Sequence, residues 1–564
     1  MKKIVLFASI LSIGFVLRFY GYDWDQGMHL HPDERFLTMV VGAMKIPSAW
    51  HQYLSPDTSL ANPYKIGYSF FVYGQFPLIL TKIVAVWSKM DYYNGITIVG
   101  RILSALLDGS IMVALFITSA LWEKTFRYNK WVKYCTMFLY GICVFPIQQA
   151  HFFTVDSFAI ASSLWALAAI SAWYLSKKKV LYLGISAIFM GIAIASKVSS
   201  VYLLPVMGMV FLAKFFSKRT TKTFLEMAMS GVFYGLISYV ALRFCSPYYF
   251  ADSSFFDVKL NPAFLSSISQ LKALSTADAW FPPAVQWITK EPVLFPLQNI
   301  IFWGLGLVES FLVIGGSIFV LKSTLKVILR KNYSFSNIFL VSAIFLWGIS
   351  LFVYQGTRFG MTMRYFYIFY PFFAVLGGYA LSKLYNRSKY IMVGCLLLLS
   401  LWPLSFMHIY TQDHSRVTAS KWIYTYLPSS AVLGSEHWDD ALPLGVLSTP
   451  KTYGYRELPV FAPDNDEKWA KMNEALGQID FYILSSNRGY GSILSDRKHY
   501  PKMAPYYDRL FEERAGFEKV AEFTSYPQIC IPYTNACLVF NDDGAEEAFT
   551  VYDHPKILIY KKVL

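Results

Sequence analysis

The segment "MHLHPDERFL", residues 28–37, places two histidines, two carboxylates and one arginine within ten positions. It follows closely on an apolar run at residues 4–20, in a chain that is 55% hydrophobic. Charge gathered at the end of an apolar run indicates either a solvated loop or a reaction centre at a membrane face, where ionisable groups pair or work. The rest of the chain decides between these two interpretations.

The composition indicates a membrane protein. Of the 564 residues only 15% are charged, whereas soluble domains average ~25%. The net charge of +14 would suit a nucleic-acid binder. However, the lysines and arginines fall in short clusters between long apolar runs, as they do in the cytoplasmic loops of membrane proteins. We therefore predict a polytopic α-helical membrane protein that does not bind nucleic acid.

Eleven apolar segments are long enough to suggest transmembrane helices. They lie at residues 4–20, 95–120, 134–150, 155–175, 180–197, 199–216, 224–245, 299–321, 335–354, 363–383 and 390–410. If Lys2 and Lys3 are cytoplasmic, five basic loops share their side, namely 123–133, 177–179, 214–222, 322–331 and 383–389. The positive-inside rule therefore predicts a multi-pass protein of the cell (plasma) membrane with a cytoplasmic N-terminus.

A twelfth apolar run, residues 68–87, does not fit this topology as a span. Counting it as one would move every later basic loop to the outside. Its Tyr, Phe and Trp residues suit headgroup depth. We therefore predict an interfacial or re-entrant helix within a first external loop at residues 21–94.

The C-terminal part has a different composition. Residues 1–410 form the predicted membrane domain, with a second large external insertion at 246–298, whereas residues 411–564 are rich in charge. Strand-like pieces such as "FYILSS" and "KILIYKK" alternate there with helix-like pieces such as "DEKWAKMNEALG". This alternation predicts a soluble α/β domain on the extracytoplasmic side. If the region is exported, Cys530 and Cys537 could form a disulfide.

On this topology many ionisable residues collect at the external face. Carboxylates facing cations would suit a reaction that activates a hydroxyl and displaces a phosphate. The set comprises Asp23, Asp25, His29, His31, Asp33, Glu34, Arg35, Arg101, Asp156, Lys197, Arg358 and Arg364.

Several of these residues lie in segments that resemble one enzyme group. "HPDERF" resembles the acidic motif in the first external loop of the GT-C membrane glycosyltransferases of the protein O-mannosyltransferase-like (family 39) group. The resemblance continues through "GRILSALLDGSIMVALF", "FFTVDSFAIASSLWALAAI", "GIAIASKVSSVYLLP" and "MRYFYIFYPFFAVLGG". The tail segments "EHWDDALP" and "FTVYDHPKILIYKK" look like the external domain of proteins known as phospholipid-carrier-dependent glycosyltransferases.

The resemblance implies an activity. It is the inverting transfer of a sugar, mannose or another hexose, from a dolichyl- or undecaprenyl-type polyprenyl phosphate to the hydroxyl of an acceptor protein, glycan or glycolipid. Asp33 and Glu34 match the catalytic acidic pair, with Asp33 as general base. Arg101, Lys197 and Arg364 would bind the donor phosphate, and Asp156 would be a second acid facing the acceptor or a metal. Desolvation at the membrane face would raise the pKa of Asp33 and make it a better base.

Four of these assignments have a structural alternative. Asp33 could cap the helix that follows Pro32, and Glu34 could interact with the dipole of its first turn. Arg101 and Lys197 could snorkel at the ends of spans. Arg358 suits a simple loop charge. For Asp439–Asp440 and Asp553–His554, turn chemistry is a better explanation than catalysis.

Two wider alternatives stay open. The spacing His29-x-His31-x-Asp33, with Asp156, would also suit a divalent cation such as Mg or Mn, so the sequence leaves the cofactor undecided. A polytopic transporter or lipid flippase would also have many spans and buried ions. Such a protein should show repeated halves or broken spans with charges at the membrane midplane. The charges here lie at one face, which favours the enzyme.

Overall fold

The structure is a computed structural model that describes residues 2–126, 128–176, 179–277, 281–330, 335–447, 451–531, 533–534 and 536–563. Its N-terminal three quarters are helical. The helices are α1 (Lys2–Phe19), α2 (Pro32–Ala43), α3 (Trp50–Leu54), α4 (Gln75–Trp87), α5 (Tyr93–Phe126), α6 (Val132–Ile142), α7 (Val144–Ala150), α8 (Val155–Leu175), α9 (Lys179–Ser196), α10 (Leu204–Phe216), α11 (Thr221–Cys245), α12 (Pro262–Leu274), α13 (Pro282–Val285), α14 (Leu294–Asn299), α15 (Leu307–Arg330), α16 (Phe335–Gly356), α17 (Tyr370–Arg387) and α18 (Lys389–Met407).

The prediction of a polytopic helical membrane protein is confirmed. Within the described ranges, seven helical segments are long and apolar enough to cross a membrane, and the bent pair Leu294–Gly304 and Leu307–Lys322 makes up to eight. The other three predicted segments are also helical. Of these, α1 carries three basic residues, α9 is short, and the segment 134–150 breaks at Cys143 into α6 and α7. Residues 127, 177, 178 and 331 of the predicted basic loops lie outside the described residues.

The ambiguous run at 68–87 contains only the short helix α4. Its 13 residues span about 20 Å at ~1.5 Å per residue, less than the ~30 Å of a hydrocarbon core. Gly74, just before α4, packs against the end of α9, where an added Cβ would lie 1.9 Å from the carbonyl oxygen of Ser196. This close approach places the first loop beside Lys197.

A buried ion pair ties the bundle together. Arg18 donates to Asp108 at 2.6 Å and to the backbone carbonyls of Gly14 and Gly141 at 3.0 and 2.9 Å. Asp108 also accepts hydrogen bonds from the hydroxyls of Tyr140 and Tyr367. Because each partner compensates the other, removing one would leave an unpaired buried charge. Through Tyr367 the cluster also holds the 3-10 helix Met363–Phe369.

The C-terminal region has the predicted α/β composition. Its helices are α19 (Ser415–Tyr426), α20 (Asp466–Gln478), α21 (Arg488–Ser495), α22 (Met503–Phe511) and α23 (Glu547–Thr550). Its strands are β1 (Val432–Glu436), β2 (Gly454–Leu458), β3 (Phe481–Leu484), β4 (Phe517–Phe523), β5 (Gln528–Cys530), β6 (Cys537–Val539) and β7 (Ile557–Lys562).

Five of these strands form one sheet in the order β2-β1-β3-β7-β4. The pairs β1–β2 and β1–β3 are parallel, whereas β7 runs antiparallel to both of its neighbours. Strands β5 and β6 form a separate hairpin, in which Cys530 and Cys537 pair in register and form a disulfide.

The α/β region, here called the tail, contacts the helical bundle through buried polar groups. Asp553 accepts hydrogen bonds from Tyr410 at 2.9 Å and from Gln148 at 3.0 Å. Glu546 accepts the backbone N–H of Met363 at 2.6 Å. Buried hydrogen-bonded networks of this kind depend on every member being satisfied. The tail therefore packs onto the bundle next to the 3-10 helix that carries Arg364.

Candidate active site

The way in which α2 begins leaves the carboxylate of Asp33, the first predicted site residue, free of any capping role. Pro32 occupies the first turn, and His31 is the cap, because its Nδ1 accepts the backbone N–H of Glu34 at 3.3 Å. Proline suits this position because it has no N–H to lose. The structure thus excludes the alternative in which Asp33 caps the helix. With the cap supplied by His31, the Asp33 carboxylate turns towards other parts of the chain.

Four residues from distant parts of the sequence form one cluster. Asp33 accepts a hydrogen bond from Tyr73 at 2.9 Å and pairs with Arg364. Arg364 Nε also binds Asp156 at 2.6 Å, and Lys197 Nζ binds the other oxygen of Asp156 at 2.6 Å. We call Asp33, Asp156, Lys197 and Arg364 the cleft cluster. Lys197 is thus paired with a carboxylate at the end of its helix, and its snorkelling alternative stays a prediction.

The cleft cluster is partly open. The side chains of Asp33, Arg364 and Lys197 are 27%, 18% and 28% exposed, whereas that of Asp156 is 2% exposed. Two carboxylates and two cations face one another, so their formal charges cancel. An arriving anion must therefore compete with a carboxylate for Arg364 or Lys197.

The pKa of Asp33 shifts in the opposite direction to the one predicted from the sequence. Burial acts to raise its pKa, but Arg364, His31 and the hydrogen bond from Tyr73 together hold the pKa below its ordinary value. The opposite charge of Arg364, in direct contact with Asp33, outweighs the effect of desolvation on this pKa. Asp33 is therefore a carboxylate at neutral pH and can accept a proton.

A second, fully buried cluster surrounds Arg101. Its five N–H groups are all used, with contacts to Glu34 at 2.5 and 2.9 Å, to Asp25 at 2.8 and 3.0 Å and to the carbonyl of Tyr22 at 3.1 Å. The guanidinium also lies 4.8 Å from the ring centroid of Trp24. Arg101 is 2% exposed. Arg101 therefore has almost no exposure and no N–H group left over in this structure, and its role at the donor phosphate stays a prediction.

Glu34 belongs to the same buried cluster. It has no exposed surface, and it accepts the backbone N–H of Phe153 at 2.8 Å besides its contacts with Arg101. Burial raises the pKa of Glu34, although Arg101 acts to lower it. Asp25 has its pKa lowered: burial opposes the shift, but Arg101 outweighs it. Asp23 reaches Arg101 only at 3.8 Å and is half exposed. This position suits a residue that holds the first loop, and the catalytic role of Glu34 stays a prediction.

The alternative metal site is not assembled. His29 bonds Asn94 at 2.7 Å and Thr97 at 3.2 Å. His31 lies between the rings of Phe152 and Tyr552, and burial lowers its pKa to about 3. In the part of the chain that the structure describes, no group of three or more His, Cys, Asp or Glu side chains is placed to hold a metal ion.

Sequence reasoning missed residues that support the cleft cluster. Tyr73 is a hydrogen-bond donor to Asp33, and the ring of Tyr365 lies 5.4 Å from Lys197 Nζ. Aromatic residues are common throughout this chain, so no pattern distinguishes these two. Arg358 stacks over Tyr354 at 4.8 Å, as a surface charge would.

The tail also reaches the first loop. Arg35 donates to Asp440 at 3.0 Å, and Arg416 binds both Asp440 and Asp439, at 3.0 and 2.7 Å. The tail acids that the sequence analysis attributed to turns therefore link the two regions. Together with the hydrogen bond from Met363 to Glu546, these contacts link the tail to α2 and to the segment that carries Arg364.

Comparison with solved structures identifies proteins that share this architecture. The apo oligosaccharyltransferase of Archaeoglobus fulgidus, a GT-C glycosyltransferase, matches with a TM-score of 0.52 and 12% identity, over 89% of this chain and 72% of that chain. The chain has the GT-C fold.

Weaker GT-C matches include ArnT from Cupriavidus metallidurans bound to undecaprenyl phosphate, with a TM-score of 0.42 and 12% identity over 92% of this chain and 96% of that one. The Pmt1–Pmt2 O-mannosyltransferase complex of S. cerevisiae bound to its sugar donor has a TM-score of 0.34 and 12% identity, over 43% of this chain and 33% of that one. By sequence, no family model and no curated protein matches the chain.

Proposed function

We propose that this GT-C protein is a membrane glycosyltransferase that moves a hexose from a polyprenyl-phosphate carrier to an acceptor hydroxyl. The observation that carries the proposal is the cleft cluster, where the partly exposed carboxylate of Asp33 pairs with Arg364, and Asp156 links Arg364 to a second cation, Lys197. Such a site offers a base for a hydroxyl and positive charge for a departing phosphate. The GT-C fold supports the same reaction class.

The reaction follows from the roles of the cluster. The acceptor oxygen attacks the anomeric carbon while Asp33 takes its proton, and the bond from that carbon to the phosphate oxygen breaks. Attack opposite the leaving group inverts the configuration. Lys197 and Arg364 neutralise the charge that develops on the phosphate. Asp156, bound to both cations at 2.6 Å, holds them in position.

Donor binding and release of the base are linked in this scheme. In the structure Arg364 is shared by Asp33 and Asp156. A phosphate bound to Arg364 would replace Asp33 as its partner. Freed from that ion pair, Asp33 loses the interaction that lowers its pKa and becomes a stronger base. The arrangement therefore favours proton abstraction only when the donor is bound.

We further propose the sugar, the class of acceptor, the orientation in the membrane and two positioning residues. The sugar is mannose or another hexose, and the acceptor is a protein, glycan or glycolipid. The protein lies in the cell membrane, with its N-terminus cytoplasmic and the tail extracytoplasmic, so that the transfer takes place outside. Arg101 and Glu34 act as positioning residues for the loop that presents Asp33.

Purified protein incubated with labelled polyprenyl-phosphate hexoses and acceptor extracts would test the proposal through the release of free polyprenyl phosphate. Asp33→Asn keeps the shape but cannot take the proton, and loss of a general base costs ~10²–10⁴-fold in rate. The matched control is Asp57→Asn in the same loop, whose side chain is 82% exposed. Near-normal turnover of Asp33→Asn in the presence of an active wild type would contradict the assignment of the base.

A lipid flippase is the second candidate, because α14 and α15 meet at a bend of 119° and broken spans occur in transporters. The two functions give different products. A flippase moves the intact carrier-linked sugar across vesicles, whereas a transferase cleaves it. The same labelled donor in proteoliposomes, followed for both location and cleavage, separates them.

A further inference from the structure

A cavity of about 280 Å³ lies in the tail, apart from the cleft cluster. Asn487 follows the carboxyl end of β3, Thr524 follows that of β4, and Lys556 precedes the amino end of β7. Since β7 is antiparallel to both β3 and β4, all three residues lie at one edge of the sheet. The carboxyl edge of strands in open α/β sheets is where ligands bind.

The cavity wall carries charge of both signs in equal number. Asp542 binds His554 at 2.8 Å, and Asp543 lies 3.4 Å from Lys556. His554 is a cation at neutral pH: burial opposes this, but Asp553 and Asp542 raise its pKa to about 10. The two acids and two bases among the lining residues cancel formally. His554 and Asp542 are buried against each other, whereas Lys556 and Asp543 are 24% and 44% exposed and can contact a ligand. A neutral ligand rich in hydroxyls can use this exposed pair, whereas a phosphate would face Asp543 and an amine would face Lys556.

Aromatic rings and hydrogen-bonding groups are mixed along the same wall. Tyr490 and Phe511 meet edge to face at 5.2 Å, and Tyr526 donates to Asp543 at 2.8 Å. Asn487 adds an amide whose Oδ1 has no hydrogen-bond partner among the described residues. Ring faces beside a few polar groups are the usual lining of small-molecule sites. A pyranose matches both, with C–H groups on its faces and hydroxyls around its rim.

We propose that this cavity, hereafter the tail pocket, binds one neutral pyranose unit of a glycan. Its volume lies just below the ~300–1,000 Å³ of typical ligand pockets, which suits a single sugar ring rather than a longer chain. The proposal concerns binding only and does not depend on the transfer reaction.

The tail pocket is connected to the cleft cluster by one segment. Asp542, Thr550 and His554 line the pocket, and between them Glu546 accepts the backbone N–H of Met363, next to Arg364. Residues 542–554 therefore line the tail pocket and also contact the residue next to Arg364. A glycan held in the tail pocket lies on the part of the tail that braces the cleft cluster.

Saturation-transfer NMR on the full-length protein in detergent tests the proposal. The probes are the methyl glycosides of glucose, galactose, mannose and N-acetylglucosamine, with inorganic phosphate and glycerol as comparison compounds. We expect saturable transfer to at least one glycoside, with a Kd of about 1 mM, equivalent to ~4 kcal/mol. Asp543→Asn and Tyr526→Ala should each weaken binding by at least fivefold.

The matched control is Asp508→Asn. Asp508 is another tail aspartate whose side chain is 43% exposed, compared with 44% for Asp543, and its ion-pair partner is Arg497. Unchanged glycoside binding in this control, together with unchanged melting temperatures of all variants, is expected. No transfer to any glycoside, equal binding by Asp543→Asn and wild type, or displacement of the glycoside by phosphate would overturn the proposal. Since Asp33→Asn should bind glycosides normally, failure of the transferase proposal and failure of this one give different results.

Discussion

Glu546 provides a test of the contact between the tail and the Arg364 segment. It is buried, its carboxylate accepts the N–H of Met363, and its Oε1 has no partner among the described residues. Burial raises the pKa of Glu546 from 4.5 to about 8, although the Met363 N–H acts to lower it. The folded protein therefore keeps this proton at neutral pH, whereas the unfolded chain releases it.

The sign of the pH effect follows from this difference. Stability associated with the raised pKa is fully present below pH 4.5 and is lost as the pH rises through about 8. At ~1.36 kcal/mol per unit, folding at pH 7 must supply ~3 kcal/mol to keep Glu546 protonated, and ~1 kcal/mol at pH 5.5. Glu546→Gln is neutral at every pH and can still accept the Met363 N–H. It should therefore be more stable than wild type by ~3 kcal/mol at pH 7 and ~1 kcal/mol at pH 5.5.

Thermal unfolding followed by intrinsic fluorescence, at several pH values in one detergent, measures this difference. Other titrating groups change wild type and variant alike, so the difference between them isolates Glu546. Glu547→Gln is the contrast, because Glu547 binds Arg488 at 2.6 Å and its loss leaves a cation unpaired. That variant should be less stable than wild type. If the two proteins with Glu and Gln at 546 lost stability in parallel between pH 5.5 and 8, the reasoning would be refuted.

Two further predictions concern the bundle. Arg101→Lys cannot reproduce the bidentate contacts and should lower the free energy of unfolding by ~3–5 kcal/mol. Lys197→Ala should leave the melting temperature nearly unchanged and raise the KM for the lipid-phosphate donor. The opposite pattern would support Arg101, rather than Lys197, as the residue that binds the donor. An impermeant thiol reagent applied to intact cells should label cysteines placed at Asp57 and Asp466 but not at Ser217, with the parent protein as background. Labelling of Asp57 without Asp466 would separate the tail from the first loop and invalidate the proposed orientation.

The sequence predicts the bundle well because its signal is local. Apolar length alone locates helices such as α5 and α8. The consistency of the basic loops argues against a span at 68–87, where the structure has only the 13-residue helix α4. The strands β3 and β7 are predicted because they are apolar and bounded by turns. Strand β2 was missed since four of its five residues are exposed at the sheet edge, which leaves no alternating pattern.

Only part of the site could be predicted, because local sequence does not show which oppositely charged residue each ionisable side chain will pair with. The residues of the cleft cluster were all named in advance as external ionisable groups. Arg101 was also named, but its partners Asp25 and Glu34 are 76 and 67 positions away, and only the folded loop shows that they consume every donor. Tyr73 and Glu546 contribute through contacts of long sequence separation. Composition gives no sign of such contacts.

The docking of the tail has a consequence for how the protein can be rebuilt. Gln148 and Tyr410 both donate to Asp553, and Met363 donates to Glu546, so a chain cut after Tyr410 would lose the acceptors of three buried donors. A chimaera that receives its tail from another protein must supply equivalent acceptors at these positions. A transplant of the tail would therefore have to carry the matching hydrogen-bond donors and acceptors from both sides of this contact.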